Sequence, residues 1–297
     1  MIDYRKIIKN REFRLKLIRC LSFIPDKIYL KMVYWIKTGR KLNLENPKLF
    51  SEKQNWLKLN NIHPEYTNLV DKVKVREYIR EIIGKEYLIP ILGVWDKFED
   101  IDFEKLPDKF VLKCNHDSGS VKIIKDKKNI NKKELKKFYD FRLKLNPFCL
   151  GREYPYKNIK PKIIAEKYME QRFGTDIPDY KFYCFNGEPK LLLVIREMFK
   201  NKKNKFYDMN FNYLNIIDLL EPKNSFEKNE EVKPVQFEEM KRLAKVLSKN
   251  KKFVRVDFYL INEKIYFGEL TFFDSGGFTI LEPIEWEVKF GEMLNIK

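Results

Sequence analysis

The sequence predicts an α+β protein built on antiparallel sheet. Three observations carry that prediction: a hairpin pattern at residues 179–195, a second at 253–272, and helix-period apolar spacing early in the chain. In the first hairpin, Asp179–Phe185 and Glu188–Ile195 flank Asn186-Gly187, a pair suited to a type I′ turn because both central residues there take positive φ. In the second, Val254, Val256, Phe258 and Leu260 alternate with Arg255 and Asp257, and Ile265–Phe272 returns.

The bulk properties admit a folded enzyme. A chain of 297 residues, 44% hydrophobic and 15% aromatic with only 11 Gly and 13 Pro, can bury a core and is unlike a disordered or collagenous sequence. Cys20, Cys114, Cys149 and Cys184 lie far apart with no CxxC pair, which speaks for reduced thiols and against a zinc ribbon or disulfide scaffold. No apolar run approaches the ~20 residues that cross a bilayer, and the start has no signal-peptide core, so the expected location is the cytoplasm. The net charge is +17, of which residues 1–60 carry +10 and residues 120–144 carry +7. Such patches fit an acidic partner or a plain solvated surface.

Taken in order, residues 1–60 read as a basic helical segment. Leu15, Ile18 and Leu21, then Ile28, Met32 and Trp35, recur at helical spacing around Pro25. That amphipathic pair suits packing against the main body, with rest on the inner membrane face as the alternative. Residues 69–83 follow as one helix, with Leu69, Val73, Arg76, Ile79 and Ile83 on a side and Gly84 as its stop. Phe110–Cys114 reads as a buried strand opening into the polar loop Asn115–Ser120; a lysine-rich helical stretch and the strand Ile163–Met169 come next. Residues 235–250 are helical. The expected division is 1–60, 61–165 and 166–297.

Asp257 and Glu269 share a face only if the turn between them has an odd count, and a three-residue loop Asn262–Lys264 supplies one. Opposed carboxylates repel unless a cation lies between them, and Mg²⁺ commonly takes one or two carboxylates with substrate phosphates. Arg255 on that face either neutralises a transferring phosphoryl group or only pairs with these acids. In the first hairpin, pairing counted straight from the turn sets 181 against 192, and Lys181 and Arg196 are expected on opposite faces.

Arg255-Val-Asp257-Phe followed by Gly268-Glu269-Leu-Thr271-Phe resembles the metal motif of ATP-grasp enzymes. NPKLFSEKQNWLKL, YTNLVDKVKVREY, EYLIPILGVWDKFEDIDFEKLPDKFVLKCNHDSGS, YKNIKPKIIAEKYM and DYKFYCFNGEPKLLL, in that order, resemble the TupA-like ATP-grasp family of polysaccharide and cell-wall clusters. The likeness runs over roughly residues 27–285. It implies an ATP-grasp fold, in which two α+β subdomains hold ATP between antiparallel sheets, here with a helical N-terminal segment. It implies ATP contacts at Lys72, Lys113, Ser118, Gly119, Ser120 and Lys181, with Glu166, Lys167, Tyr168 and Met169 as the adenosine-holding hinge. Asp257 and Glu269 would be magnesium ligands. Where the superfamily usually has Glu-x-Asn this chain has Glu269-Leu-Thr271, so Thr271, Asp274 or water are the candidates for the third ligand. His116 and Arg255 would act on reacting groups and Arg196 on substrate; His63 reads as a loop residue.

The function so implied is ATP- and Mg-dependent ligation of a carboxylate, a uronate or amino acid, to an amine through an acyl phosphate. An anionic polysaccharide or lipid-linked precursor would be the partner. A glycosyltransferase, with Asp100-Ile-Asp102 as its acidic pair, and an ATP-dependent phosphotransferase are the alternatives. Nucleic acid is not an expected partner, because no clustered basic and aromatic motif is present.

Overall fold

The computed structural model describes residues 21–171, 176–198, 201–219 and 232–297, so the expected helix at Leu15 and Ile18, and Cys20, lie outside the described residues. The chain forms two compact units, one of residues 1–62, 151–153 and 171–297, the other of residues 63–150 and 154–170. The described residues 21–62 fall in the same unit as residues 253–271.

Helix α1 (Asp26–Thr38) ends at Gly39, whose φ of 72° lets its N–H return to the Trp35 carbonyl. Its packing side differs from the expectation. Tyr29, Leu30 and Tyr34 are buried, whereas Ile28 and Trp35 are 60% and 57% exposed. Both sides are apolar, and the inward one also gives the Tyr34 hydroxyl a buried partner, Ser51 Oγ at 2.9 Å. Helix α2 (Phe50–Asn60) follows, its first turn closed by Glu52, which accepts the N–H groups of Lys48 and Leu49.

The second unit opens with helices α3 (Tyr66–Val70) and α4 (Val75–Ile82), where the sequence predicted one continuous helix. Asp71 leaves the helical conformation with ψ 113°, and its Oδ1 accepts from Val73 N at 2.8 Å and Lys74 N at 3.3 Å. A side chain that captures backbone N–H groups competes with the helix ladder, and here it prevails. Strands β1 (Ile91–Trp95), β2 (Phe110–Cys114) and β3 (Lys122–Ile124), helix α5 (Lys132–Leu143) and strand β4 (Ile163–Lys167) complete the unit. The antiparallel sheet has the order β1-β4-β2-β3. Phe110, Leu112 and Cys114 point into a core with Phe98, Phe103, Tyr139 and Ile163, which leaves Lys113 on the other face.

The first unit resumes with β5 (Asp179–Phe185), β6 (Glu188–Met198), β7 (Asn201–Asp208), β8 (Tyr213–Leu214) and β9 (Ile217–Asp218). Helix α6 (Phe237–Ser248), β10 (Phe253–Ile261), β11 (Lys264–Thr271), β12 (Leu281–Glu282) and helix α7 (Glu285–Met293) follow. The larger sheet is antiparallel in the order β11-β10-β5-β6-β7-β8, and β12 pairs with β9. Phe182 and Cys184 meet α6 on one face. The other face begins as an aromatic cluster, with Phe253 5.1 Å from Phe50 of α2 and Phe185 5.9 Å from Phe290 of α7. Farther along the same strands it becomes ionic.

Two β-bulges set that ionic face, and neither was foreseen. The β10–β11 turn has two residues, Asn262 and Glu263, both at positive φ (49° and 66°), where a three-residue loop was expected. Alone, such a turn would pair Asp257 with Gly268 and send Glu269 to the far face. The register instead shifts beyond the Phe258–Phe267 pair, and Asp257 faces Glu269. In β5–β6 the pairing moves from Cys184–Pro189 to Tyr183–Leu191, so Lys181 faces Leu193. A straight register would have put Arg196 on the side of Lys181, contrary to the reasoning from sequence; the bulge is what separates them.

Gly268 is the residue the β10–β11 shift depends on. A Cβ there would stand 3.0 Å from the Asp257 carbonyl oxygen and 3.3 Å from the Tyr259 ring. Gly268→Val is expected to cost about 1–3 kcal/mol through this crowding, read as a lower urea midpoint; an unchanged midpoint would show that the bulge tolerates a side chain.

Candidate functional site

In the first unit the chemistry centres on a buried guanidinium. β10 and β11 place Arg255, Asp257, Glu269 and Thr271 on one face, and β5 adds Asp179 and Lys181 beside them. Arg255 grips Asp257 with two bonds, Nε to Oδ1 at 2.8 Å and Nη2 to Oδ2 at 2.7 Å. Its Nη1 reaches Asp274 Oδ1 at 2.5 Å, and Nη2 also meets Glu269 Oε1 at 3.2 Å and Thr271 Oγ1 at 3.3 Å. Lys181 Nζ lies 2.5 Å from Asp257 Oδ2 and 2.7 Å from Asp179 Oδ2.

The titration of these groups follows from their neighbours. Burial pushes the Asp257 carboxyl upward, but Arg255 and Lys181 outweigh it and hold the group below its ordinary value. Asp179 goes the other way, because burial exceeds what Lys181 returns. Burial works against the Lys181 ammonium, yet Asp257 and Asp179 raise it.

Four carboxylates, Asp179, Asp257, Glu269 and Asp274, thus surround two cations, a surplus of acid that a divalent ion would balance. Asp179 Oδ1 is buried without a hydrogen-bond partner, and the Glu269 side chain is 36% exposed against 2% for Asp257. These hard oxygens fit magnesium as two protein carboxylates completed by phosphate and water. They do not form a closed cage: among the described residues no group of three or more His, Cys, Asp or Glu is arranged to hold a metal by itself. Of the expected third ligands, Thr271 Oγ1 donates to Glu269 Oε1 at 3.0 Å, and Asp274 is taken by Arg255 and by Thr279 Oγ1 at 2.7 Å. Arg255 itself is paired with Asp257, Asp274 and Glu269, the geometry of a charge-balancing strut.

Helix α2 fixes this cluster through the loop after β11. Gln54 Oε1 accepts the Asp274 N–H at 3.2 Å, Asn55 Nδ2 donates to the Gly277 carbonyl at 2.6 Å, and Lys58 Nζ donates to the Gly276 carbonyl at 2.5 Å. Burial lowers the Lys58 ammonium to about 7, with nearby Glu153 opposing. Residues 54, 55 and 58 share a helix face. Their role was not legible in the sequence, because their partners are backbone groups more than two hundred positions away. Asp179 could have been found, since it lies two residues from Lys181 on one strand face.

The second unit holds the other set. Lys113 Nζ contacts Glu166 Oε2 at 2.6 Å across β2 and β4, with Arg76 Nη1 4.0 Å from Glu166 Oε1. Lys72 is not ion-paired to Asp71: its Nζ donates to the Asp117 carbonyl at 2.8 Å, while Asp71 Oδ2 accepts from Asn115 Nδ2 at 3.0 Å. The loop is braced from within, as Asp117 binds Arg142, and Ser120 Oγ donates to Asp117 Oδ1 and accepts from Cys114 N. Ser118 and Gly119 remain exposed, the latter at φ 82°. Exposed backbone at such a loop, between two lysines, is suited to phosphate oxygens. Ser120 is internal and serves the brace instead.

His116, expected to act on reacting groups, is 1% exposed; its Nε2 lies 3.2 Å from the Arg142 carbonyl, its Nδ1 is buried without a hydrogen-bond partner, and burial lowers its pKa. Lys167 is exposed at the end of β4, with Tyr168 and Met169 half-buried after it. Arg196 lies apart from Lys181 and pairs with Asp176 at 3.3 Å. His63 is exposed beside Glu65.

A family model described as TupA-like ATPgrasp matches residues 52–295. No curated protein matches the chain. Among solved structures, a D-alanine–D-alanine ligase from Bacillus anthracis is 18% identical with a TM-score of 0.42, over 73% of this chain and 63% of that one. The chain thus spans less than two thirds of that ligase. The same enzyme complexed with ATP gives 16% and 0.45 over 82% and 72%. The corresponding ligase from Helicobacter pylori gives 12% and 0.40 over 83% and 69%.

The His116 geometry has a pH consequence. Its folded pKa lies below the ordinary 6.5, so between the two values the unfolded chain binds a proton that the folded chain refuses. Stability rises with pH across that window and is lost as pH falls from 6.5 toward the folded value. His116→Gln is expected to remove that part of the slope in urea titrations at stepped pH; an unaltered slope would contradict the assignment.

Proposed function

The chain belongs to the TupA-like ATP-grasp family, and from that premise we propose that it is an ADP-forming carboxylate–amine ligase acting on a cell-surface polysaccharide or its precursor. The observation that carries the reading is the opposed pair Asp257 and Glu269, held by Arg255 within a surplus of acid. Bound ATP with magnesium would supply a γ-phosphoryl group for a substrate carboxylate. The carboxylate oxygen bonds to phosphorus as ADP leaves, and an amine nitrogen then displaces phosphate from the acyl carbon and loses a proton.

The chain's own residues supply position and charge more than covalent chemistry. Lys113 and Lys72, with the Ser118 and Gly119 backbone, are proposed to bind phosphate oxygens, Lys113 turning from Glu166 to do so. Glu166 through Met169 would then hold the nucleoside. Asp257 and Glu269 would hold magnesium. Lys181 would reach phosphate once the metal relieves Asp257 of part of its charge, and Arg255 would keep both carboxylates aimed. The basic stretch at 120–144 suits a uronate-bearing acceptor.

For the nucleotide-sugar alternative, Asp102 accepts from Glu104 N at 3.1 Å and pairs with exposed Lys105 at 3.1 Å. The phosphotransferase alternative uses the same residues and differs in product.

The test is nucleotide turnover with magnesium over a panel of uronates and amino acids. Substrate-dependent ADP release with amide formation is expected; AMP, or no turnover across the panel, would sink the ligase reading, and a stable phosphorylated product would select the phosphotransferase. Asp257→Asn and Glu269→Gln should each lower kcat by about 10²–10³-fold, whereas Lys113→Ala should act mainly on the KM for ATP.

A further inference from the structure

Helix α1 is apolar on two sides, and among the described residues only one of them is covered. Tyr29, Leu30 and Tyr34 are buried, Leu30 and Tyr34 in a cluster with Leu42, Leu44 and Phe278. Ile28, Met32 and Trp35 recur at i, i+4 and i+7 and form a second stripe along the outer side. Ile28 is 60% and Trp35 57% exposed, and Phe23, just ahead of the helix, is 81% exposed. Single exposed apolar residues are ordinary, but three large ones in one short segment mark a contact surface. Lys27 and Lys31, both exposed, border the stripe.

The charge around the stripe selects its occupant. The described residues 21–40 hold Lys27, Lys31, Lys37 and Arg40 against Asp26 alone. A second copy docking here would bring one basic rim against another, which repels. A soluble polyanion would satisfy the lysines and leave Ile28, Trp35 and Phe23 in water. An anionic bilayer meets both demands: headgroup phosphates attract the lysines, and tryptophan and phenylalanine gain by entering the interfacial layer. We infer that the outer face of α1, with Phe23, is a docking surface for an anionic lipid bilayer. No helix among the described residues is long and apolar enough to cross a membrane, so the contact is peripheral. It stands apart from the ligase reading, because it is tested by binding and not by turnover.

The experiment uses the full chain with phosphatidylcholine vesicles, with and without phosphatidylglycerol. Expected are co-sedimentation with the anionic vesicles, weakening as salt is raised, and a blue shift of tryptophan emission that Trp35→Phe removes. The double variant Ile28→Ser, Trp35→Ser should bind more than about tenfold more weakly, with circular dichroism reporting an intact fold. Absence of binding to anionic vesicles would overturn the inference, as would equal binding by the double variant. A wild-type dimer in light scattering that the double variant splits would assign the face to a second copy instead.

Discussion

A guanidinium that is nearly buried keeps its charge, so its desolvation must be offset by acids placed around it, and Arg255 has three: Asp257, Asp274 and Glu269. That requirement constrains the rest of the first unit. Asp257 and Glu269 must lie opposite each other, which the bulge at Gly268 achieves. Asp274 must return to the same place, which α2 enforces by holding the backbone of residues 274–277 with Gln54, Asn55 and Lys58. The aromatic cluster of Phe50, Phe185, Phe253 and Phe290 anchors α2 to the sheet a few residues away, so apolar packing and ionic geometry are coupled through one helix.

The same cluster is left short of positive charge. Arg255 and Lys181 balance two of four carboxylates, and the resulting field favours a divalent cation next to Glu269, the most accessible of them. Arg255 bonds to both Asp257 and Glu269. The second unit follows a parallel logic on a different scale: Arg142 braces the loop from inside through Asp117 and the Ser118 carbonyl, leaving Ser118 and Gly119 exposed at its tip, while Asp71 breaks a helix and lets Lys72 reach back to the loop.

Much of this was legible in the sequence. Alternation fixed the faces of β10, Asn186-Gly187 marked the turn between β5 and β6, and the ordered motifs indicated the family. The pairing of Asp257 with Glu269 was also anticipated, although by a three-residue turn that does not exist; a shorter turn and a bulge give the same parity. Bulges escape such reading because they depend on backbone approach across strands, as at Gly268 over Asp257, and leave hydrophobic periodicity nearly unchanged. The break at Asp71 escaped because the carbonyl that receives the Lys72 N–H belongs to Asn115. On α1 the periodicity was real but doubled, and composition could not say which of two apolar stripes the core would take. His116 looked available in a loop of small polar residues; only the packing of α5 shows it to be internal.

The most direct measurement is a crystal structure of the full chain grown with Mn²⁺ and a non-hydrolysable ATP analogue, with anomalous scattering to place the metal. The expected result is a peak in bonding reach, about 2.0–2.3 Å, of both Asp257 and Glu269, with Arg255 still bonded to Asp274 behind them. A metal bound elsewhere, while Asp257 stays enclosed by Arg255 and Lys181, would contradict the account.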